Sequence, residues 1–321
     1  MYDVSVPLLG DEFPLPVERP FTTRQAQHAG LDGRALGRLL RVGLIRRIVR
    51  GVLVANQVPD SIQLRCQAVA LVTPCNAVVT DTTAGWLHGA EMVLAPNAHL
   101  HTVRVACFHR TPGCRSRASF CDSGERTMPH SDVTEIYGLL VTTRLRSALD
   151  MGRLLPRDRA LAALDAMLRI GGFEIDDLCA GAERFKGFRG VRQLRSLAPL
   201  ADGRSQSPGE SALRLHWLDA LDLPRPRPQV PVPGPAGQVY YLDLGVEELR
   251  FAAEYDGLEW HGPDRAAHDA ARREWISRSL GWEIAVFTRE HVFGHRADAG
   301  IRLRGAIREA RASIGRRQSA A

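Results

Sequence analysis

The sequence is poor in lysine, in long apolar runs and in paired cysteines. Lys186 is the only lysine among 42 basic residues, so nearly all the positive charge is arginine. There is no run of about 18 apolar residues that could span a bilayer, and we expect no membrane partner. The first residues carry no basic stretch followed by an apolar one, so we do not expect a secretory signal. We expect a cytoplasmic location. None of the six cysteines forms a Cys-x-x-Cys pair, which argues against a cysteine zinc site.

The charge balance is basic, with a formal net charge of +6. A basic chain is compatible with nucleic-acid binding, and the planar guanidinium group suits phosphate. The preference for arginine over lysine is also what a GC-rich genome produces. The charge therefore permits a nucleic-acid partner without establishing one.

The chain divides by composition into four regions. Residues 1–20 are rich in proline and aperiodic, and we expect a flexible arm. Residues 21–55 have the pattern of a small helical unit that ends in a β-ribbon, and residues 56–200 mix helical and β-like stretches. Residues 201–209 have the composition of a linker, so the main boundary is predicted there, before a C-terminal domain of residues 201–321. The predicted fold class is a multidomain α+β or α/β chain.

The unit at residues 21–55 has the element order of a winged helix-turn-helix. Gly30 is predicted to end a first helix, and Asp32 can cap a second one that carries three leucines on one face. Two short β segments follow, with a hinge near Gly51. In such a module the second helix enters the major groove and the wing contacts phosphate. We expect DNA contacts from the arginines of this unit: Arg24, Arg34, Arg38, Arg41, Arg46, Arg47 and Arg50.

Two apolar segments near the C-terminus are interrupted by acidic residues. Asp243 is flanked by leucines in the strand predicted at residues 239–246, and Glu254 and Asp256 lie in the strand predicted at residues 249–256. A carboxylate in such a strand is costly to desolvate unless it is paired or binds a cation. Glu254 and Asp256 share a face because side chains alternate along a strand. If the two strands form a hairpin, Asp243 can lie opposite this pair.

Glu210, early in the next helix upstream, could supply a further oxygen ligand. Carboxylate oxygens suit a hard cation, and the predicted cofactor is Mg²⁺ or Mn²⁺. The competing interpretation is that these carboxylates form structural ion pairs with Arg250 or Arg273.

The region from about residue 208 to residue 296 resembles the restriction-endonuclease-like PD-(D/E)XK superfamily, in particular its very-short-patch-repair-like branch. The predicted domain is accordingly a mixed sheet flanked by helices. The matching motifs follow the order of that branch: Gly209-Glu210-Ser211, Tyr241-Leu242-Asp243, Glu254-Tyr255-Asp256-Gly257, His261, Asp269, Arg273, Gly281-Trp282 and Val286-Phe287-Thr288.

The resemblance implies metal-assisted hydrolysis of DNA phosphodiester bonds. It implies a metal site of Glu210, Asp243 and Glu254, and catalytic roles for Asp243, Glu254, Asp256, His261 and Arg273. The lysine of the superfamily falls here at Asp256. His261 is then expected to orient or deprotonate the attacking water, although an exposed histidine after a strand is also common. Arg273 could offset the charge of a phosphate.

The N-terminal unit resembles the winged-helix domain of AbiEi-type antitoxins from type IV toxin–antitoxin systems. The matching elements are Thr22-Thr23-Arg24-Gln25-Ala26, Gly30-Leu31, Leu39-Leu40-x-x-Gly43-Leu44-Ile45-x-x-Ile48 and Arg50-Gly51-Val52-Leu53. This resemblance implies DNA binding and autorepression, and it raises a cognate toxin as a partner. Two hypotheses therefore stand: a DNA-directed endonuclease, or a DNA-binding regulator or antitoxin whose nuclease-like domain is not catalytic.

Overall fold

A computed structural model of the chain describes residues 8–10, 12–94, 104–111, 121–235, 237–257 and 263–319. The chain divides into two compact units, Met1–Met151 and Gly152–Ala321. Helices occur in both units, and within the described ranges there are three β-sheets, which confirms a multidomain chain of mixed α and β structure. No helix in these ranges is long and apolar enough to cross a membrane. The boundary predicted at residue 201 falls inside the second unit.

The first sheet belongs to a small helical segment near the N-terminus. Its elements are β1 (Phe21–Thr22), α1 (Thr23–His28), α2 (Gly33–Arg41), β2 (Ile45–Val49) and β3 (Val52–Ala55), and the strand order is β1-β3-β2 with antiparallel pairs. Thr22 caps α1 in a capping box, and the Asp32 carboxylate caps α2 by accepting from the Ala35 amide at 2.7 Å. Leu36 of α2 is buried against the sheet. Gly51, with a φ of +83°, forms the turn between β2 and β3.

The second sheet fills the rest of the first unit. The elements are α3 (Ile62–Ala70), β4 (Val78–Val79), α4 (Asp81–Leu87), β5 (Val105–His109), β6 (Cys121–Glu125), β7 (Val133–Ile136), β8 (Leu139–Thr142) and α5 (Arg144–Leu154). The strand order is β6-β5-β4-β8-β7, with both parallel and antiparallel pairs. Its core consists of Val, Leu, Ala and Cys side chains. His88, which is half-buried, lies with its Nε2 2.7 Å from the carbonyl oxygen of Thr142.

The second unit combines a helical segment with a four-stranded sheet. Its elements are α6 (Arg157–Arg169), α7 (Ile175–Glu183), α8 (Val191–Leu197), α9 (Pro208–Asp219), β9 (Arg227–Pro233), β10 (Val239–Val246), β11 (Phe251–Asp256), α10 (Pro263–Leu280), β12 (Glu283–Thr288), α11 (Arg289–Val292) and α12 (Ala299–Ser319). The strand order is β12-β11-β10-β9. The meander β9-β10-β11 is antiparallel, and β12 pairs parallel with β11 after the crossover helix α10. The strand predicted at residues 239–246 is β10, and the strand predicted at residues 249–256 is β11, which begins at Phe251.

Each face of this sheet carries an apolar core. On one face Leu244 and Phe251 pack with Trp217 of α9 and with α12. On the other face Leu242 and Ala252 pack with α10. The sheet is therefore enclosed by helices on both sides, and a charged side chain within it must find a partner locally.

A buried ion pair connects the helical segment to α9. Asp165 of α6 is fully buried, and both of its carboxylate oxygens accept hydrogen bonds from Arg214 Nη2 at 2.7 Å. Ser211 also donates to Asp165, at 2.7 Å. Because Ser211 and Arg214 lie on the helix that carries Glu210, residues 152–200 form part of the framework that positions the acidic residues of the second unit.

Candidate active site and basic N-terminal surface

The four-stranded sheet opens between β10 and β11 where the acidic residues lie. The two strands pair from Leu244 to Val246 only. Beyond this point β11 continues along β12, and the Tyr255 amide donates to Asp243 Oδ2 at 2.8 Å. A side-chain oxygen thus replaces a backbone carbonyl as the acceptor. The sequence pattern predicted that Asp243 lies near the Glu254 strand, and this contact brings them together.

The alternation of side chains along β10 is interrupted at Asp243. Leu242 packs with Ala252 on the face covered by α10, whereas Leu244 packs with Phe251 on the opposite face. Residues two apart in a regular strand share a face, so the backbone twists locally at Asp243. This twist leaves the Asp243 carboxylate in the opening between the strands.

Gln229 of β9 stands opposite Asp243 and has an unusual backbone. The β9–β10 register pairs Leu242 with Val230 and skips the Asp243–Gln229 position. Gln229 has a φ of +52°, a left-handed conformation that costs a residue other than glycine about 1 kcal/mol or more. Its side chain turns toward α9, where Nε2 donates to Glu210 Oε2 at 2.9 Å. Sequence reasoning missed this residue, because nothing in its neighbours signals a left-handed glutamine.

Glu210 reaches the site from the first turn of α9. Ser207 caps the helix by accepting from the Glu210 amide at 3.1 Å, and Glu210 Oε2 also accepts from the Gln206 amide at 2.9 Å. The helix approaches β11 closely because the preceding residue is Gly209. A Cβ at Gly209 would lie 2.1 Å from the ring of Tyr255. The Gly-Glu pair that the sequence singled out thus combines a close approach with a buried carboxylate.

Glu254 is 2% exposed, and two arginines of α10 hold it. Arg272 Nη2 donates to Oε1 at 2.7 Å, and Arg273 Nε donates to Oε2 at 2.7 Å. Arg273 also reaches Asp256 Oδ2 at 3.2 Å, and Arg272 Nη1 reaches the carbonyl oxygen of Tyr241 at 3.2 Å. Arg272 thereby bridges β10 and β11 across the opening.

The electrostatics of this cluster favour a cation. Burial raises the pKa of Asp243 well above its ordinary value, and the negative charges of Glu210 and Glu254 raise it further. Burial also raises the pKa of Glu210, although the hydrogen bonds to its carboxylate oppose this. Carboxylates with raised pKa values gain free energy from a shared proton or from a bound cation.

The fit to a metal ion differs among the three predicted ligands. Glu210 Oε2 accepts from the Gln206 amide and from Gln229 Nε2, and the Ser207 side chain also bonds the Glu210 carboxylate. Asp243 Oδ2 accepts from the Tyr255 amide. These two carboxylates accept no hydrogen bond from a described arginine, and their oxygens are the ligand type that a hard cation such as Mg²⁺ prefers. Both oxygens of Glu254 are instead bonded to arginines. Within the described residues no group of three or more His, Cys, Asp or Glu side chains is arranged to hold a metal ion. The meeting of all three carboxylates at one ion stays a prediction.

The remaining predicted residues of this site have different outcomes. Asp256 and Arg273 lie together beside Glu254. His261 lies outside the described residues, so its predicted role stays a prediction. Sequence reasoning missed Arg272. Its position next to Arg273, on the helix that follows two acidic strand residues, could have predicted a contact with those residues.

The predicted DNA-binding arginines lie in the N-terminal segment of residues 21–55, on its two helices and its β-ribbon. The exposed ones are Arg24, Arg34, Arg38, Arg41, Arg47 and Arg50. Arg46 of β2 is half-buried and donates from Nη2 to the carbonyl oxygen of Val58 at 2.8 Å, which gives it a structural role. Among the described residues no acidic side chain forms an ion pair with the six exposed arginines. Their charges are therefore available to a polyanion.

Comparison with known proteins finds relatives in one organism. Two proteins of Mycobacterium tuberculosis, the Uncharacterized protein MT2308 and the Uncharacterized protein Rv2248, are each 33% identical to this chain over 249 residues. The alignment covers 75% of this chain and 84% of each relative. The chain belongs to their family. No model of a known protein family matches it.

Members of this family share most of their length, so the relationship extends beyond either compact unit alone. The names of the mycobacterial members state no activity. Any function must accordingly be argued from the residues of the site.

Proposed function

We propose that this chain binds DNA through its N-terminal segment and hydrolyses DNA phosphodiester bonds in a metal-dependent site of its second unit. One observation carries the proposal: Glu210, Asp243 and Glu254 are brought together where β10 and β11 separate, with raised pKa values at Glu210 and Asp243. Carboxylates whose pKa values are raised by burial and by neighbouring charges are candidates for a functional site.

In this mechanism Glu210 and Asp243 would hold the ion, and Glu254 would join them. A bound Mg²⁺ or Mn²⁺ supplies Lewis-acid polarisation of the phosphate and a more acidic water. Arg273 bonds Asp256 and offsets part of the negative charge at the site. Gln229 holds Glu210 in place through its amide. His261, by the resemblance, would accept a proton from the attacking water.

The experiment compares the full chain with Asp243→Ala. We expect the wild type to bind Mn²⁺ and to nick or cleave DNA, and the variant to lose both, because Asp243 lies between the other two carboxylates. Tyr241→Phe is a matched control on the same strand, since the 52% exposed Tyr241 contributes its backbone carbonyl to the site rather than its ring. A wild-type protein that binds no divalent ion and cleaves no DNA would exclude the nuclease proposal.

The second candidate is a DNA-binding regulator or antitoxin with a toxin partner and a non-catalytic second unit. The two arginines on Glu254 favour it, because an ion pair already satisfies this carboxylate. This candidate predicts DNA binding without metal binding. The Mn²⁺ measurement therefore separates the two functions before any cleavage assay is run.

DNA binding by the N-terminal segment has its own test. Arg38 and Arg41 are exposed on α2, and Arg308 and Arg311 are exposed on α12 at the same spacing. We expect Arg38→Ala/Arg41→Ala to weaken DNA binding and to lower the salt slope by about 2, since each phosphate contact contributes about 0.9. The Arg308→Ala/Arg311→Ala control removes the same charge and is expected to leave the slope unchanged. Equal effects of the two pairs would show a response to net charge rather than a binding surface.

A further inference from the structure

The bonding of Arg272 suggests more than a structural ion pair. Its guanidinium makes one charged contact, with Glu254 Oε1, and one neutral contact, with the Tyr241 carbonyl. Arg273 differs because it contacts two carboxylates, Glu254 and Asp256. If Glu254 turned to another cation, Arg273 would keep its hydrogen bond to Asp256, whereas Arg272 would keep only its bond to the Tyr241 carbonyl and a longer-range attraction to Asp243. The two neighbouring arginines are thus unequal.

The location of Arg272 gives its charge a place to act. Its side chain, which bridges β10 and β11, is 17% exposed, whereas the side chain of Glu254 is 3% exposed. A released guanidinium at this position could meet a phosphate with its fork of donors.

We propose that the Arg272 guanidinium and a divalent cation occupy Glu254 alternately, and that the released guanidinium binds a phosphate of the DNA backbone. In the absence of the cation, the Arg272–Glu254 ion pair neutralises the buried carboxylate. Cation binding and phosphate binding become coupled, because one frees the residue that performs the other. This inference rests on the proposed metal site.

The test measures Mn²⁺ affinity of the full chain by electron paramagnetic resonance titration, without any reaction. We expect Arg272→Gln to bind Mn²⁺ about tenfold more tightly than the wild type, because a competing positive charge is removed beside the ligand. The control is Arg278→Gln, which also removes one charge from α10. Arg278 is 80% exposed and pairs with Glu274, so its Mn²⁺ affinity is expected to match the wild type.

A second measurement addresses the phosphate. The affinity for a short DNA duplex is compared in Ca²⁺ and in chelator, so that the metal-independent contribution of the N-terminal arginines cancels. We expect the wild type and Arg278→Gln to gain affinity in Ca²⁺, and Arg272→Gln to lose this gain. Arg272→Lys, which keeps the charge, is expected to recover part of it and is the second variant if the glutamine protein does not fold.

The outcomes are distinct. Tighter Mn²⁺ binding by Arg272→Gln than by the wild type, with an unchanged control, supports alternate occupancy. Equal or weaker binding by Arg272→Gln, with measurable binding by the wild type, overturns the inference and leaves the metal site intact. No Mn²⁺ binding by either protein overturns both the inference and the proposed nuclease.

Discussion

Replacing Gly209 by alanine tests the close approach between α9 and β11. A Cβ there would lie 2.1, 2.3 and 2.5 Å from three ring carbons of Tyr255, whereas ordinary contact begins at 3.4 Å. The ring or the helix must therefore move by about 1.3 Å, which is a case of overpacking. The ring is not free to swing, since it packs edge-on against Phe293 at 6.2 Å.

We expect Gly209→Ala to lower the free energy of unfolding by about 1–3 kcal/mol. The loss from overpacking thus outweighs the stabilisation of about 0.5–1 kcal/mol that replacing glycine by alanine normally brings to a helix. The matched control is Gly305→Ala in α12, where a Cβ would meet nothing within 4 Å, and which is expected to show the gain alone.

Urea unfolding followed by tryptophan fluorescence measures the effect, because four of the five tryptophans belong to the second unit. The double variant Gly209→Ala/Tyr255→Ala completes a cycle, and removal of the ring should return most of the loss, with a coupling energy of about 1 kcal/mol or more. If Gly209→Ala is as stable as Gly305→Ala, or if the two substitutions are additive, the close approach does not limit this site.

Three further predictions concern stability. Asp165→Ala leaves Arg214 buried without its carboxylate and should cost about 3–5 kcal/mol in urea unfolding, whereas Asp219→Ala, which breaks an exposed pair, should cost less than about 1 kcal/mol. Burial lowers the pKa of His88 below its ordinary value of 6.5, so the unfolded state takes up a proton first as the pH falls, and the free energy of unfolding decreases below pH 6.5. Calorimetry should show a smaller loss of stability in acid for His88→Gln, and an unchanged pH profile would contradict this. Thr22→Ala removes the capping box of α1 and should lower the free energy of unfolding by about 1 kcal/mol, measured by thermal unfolding. An unchanged stability would show that packing alone holds the helix.

The sequence pattern predicts the strands of the second unit well because their physics is local. Alternation along residues 251–256 places Glu254 and Asp256 on one face, and α10 indeed meets both there. The caps at Thr22 and Asp32 are likewise decided by residues three positions apart. Such short-range rules need no knowledge of the tertiary structure.

The rest depends on contacts between distant residues. Which arginines of α10 face Glu254 is fixed by the rotation of the docked helix, so sequence reasoning named Arg273 and missed Arg272. The left-handed Gln229 follows from the fit between β9, β10 and α9. The inclusion of residues 152–200 in the second unit follows from the Asp165–Arg214 pair, which joins segments 49 positions apart.

The order of strands in the four-stranded sheet of the second unit has a consequence for folding kinetics. The meander β9-β10-β11 is local in sequence, whereas β12 and α10 dock only after a longer loop has closed. If the meander forms first, Asp243 and Glu254 approach each other before Arg272 and Arg273 reach them, and their repulsion contributes to the barrier. We therefore expect the second unit to refold faster at higher ionic strength, with the acceleration lost in Asp243→Asn.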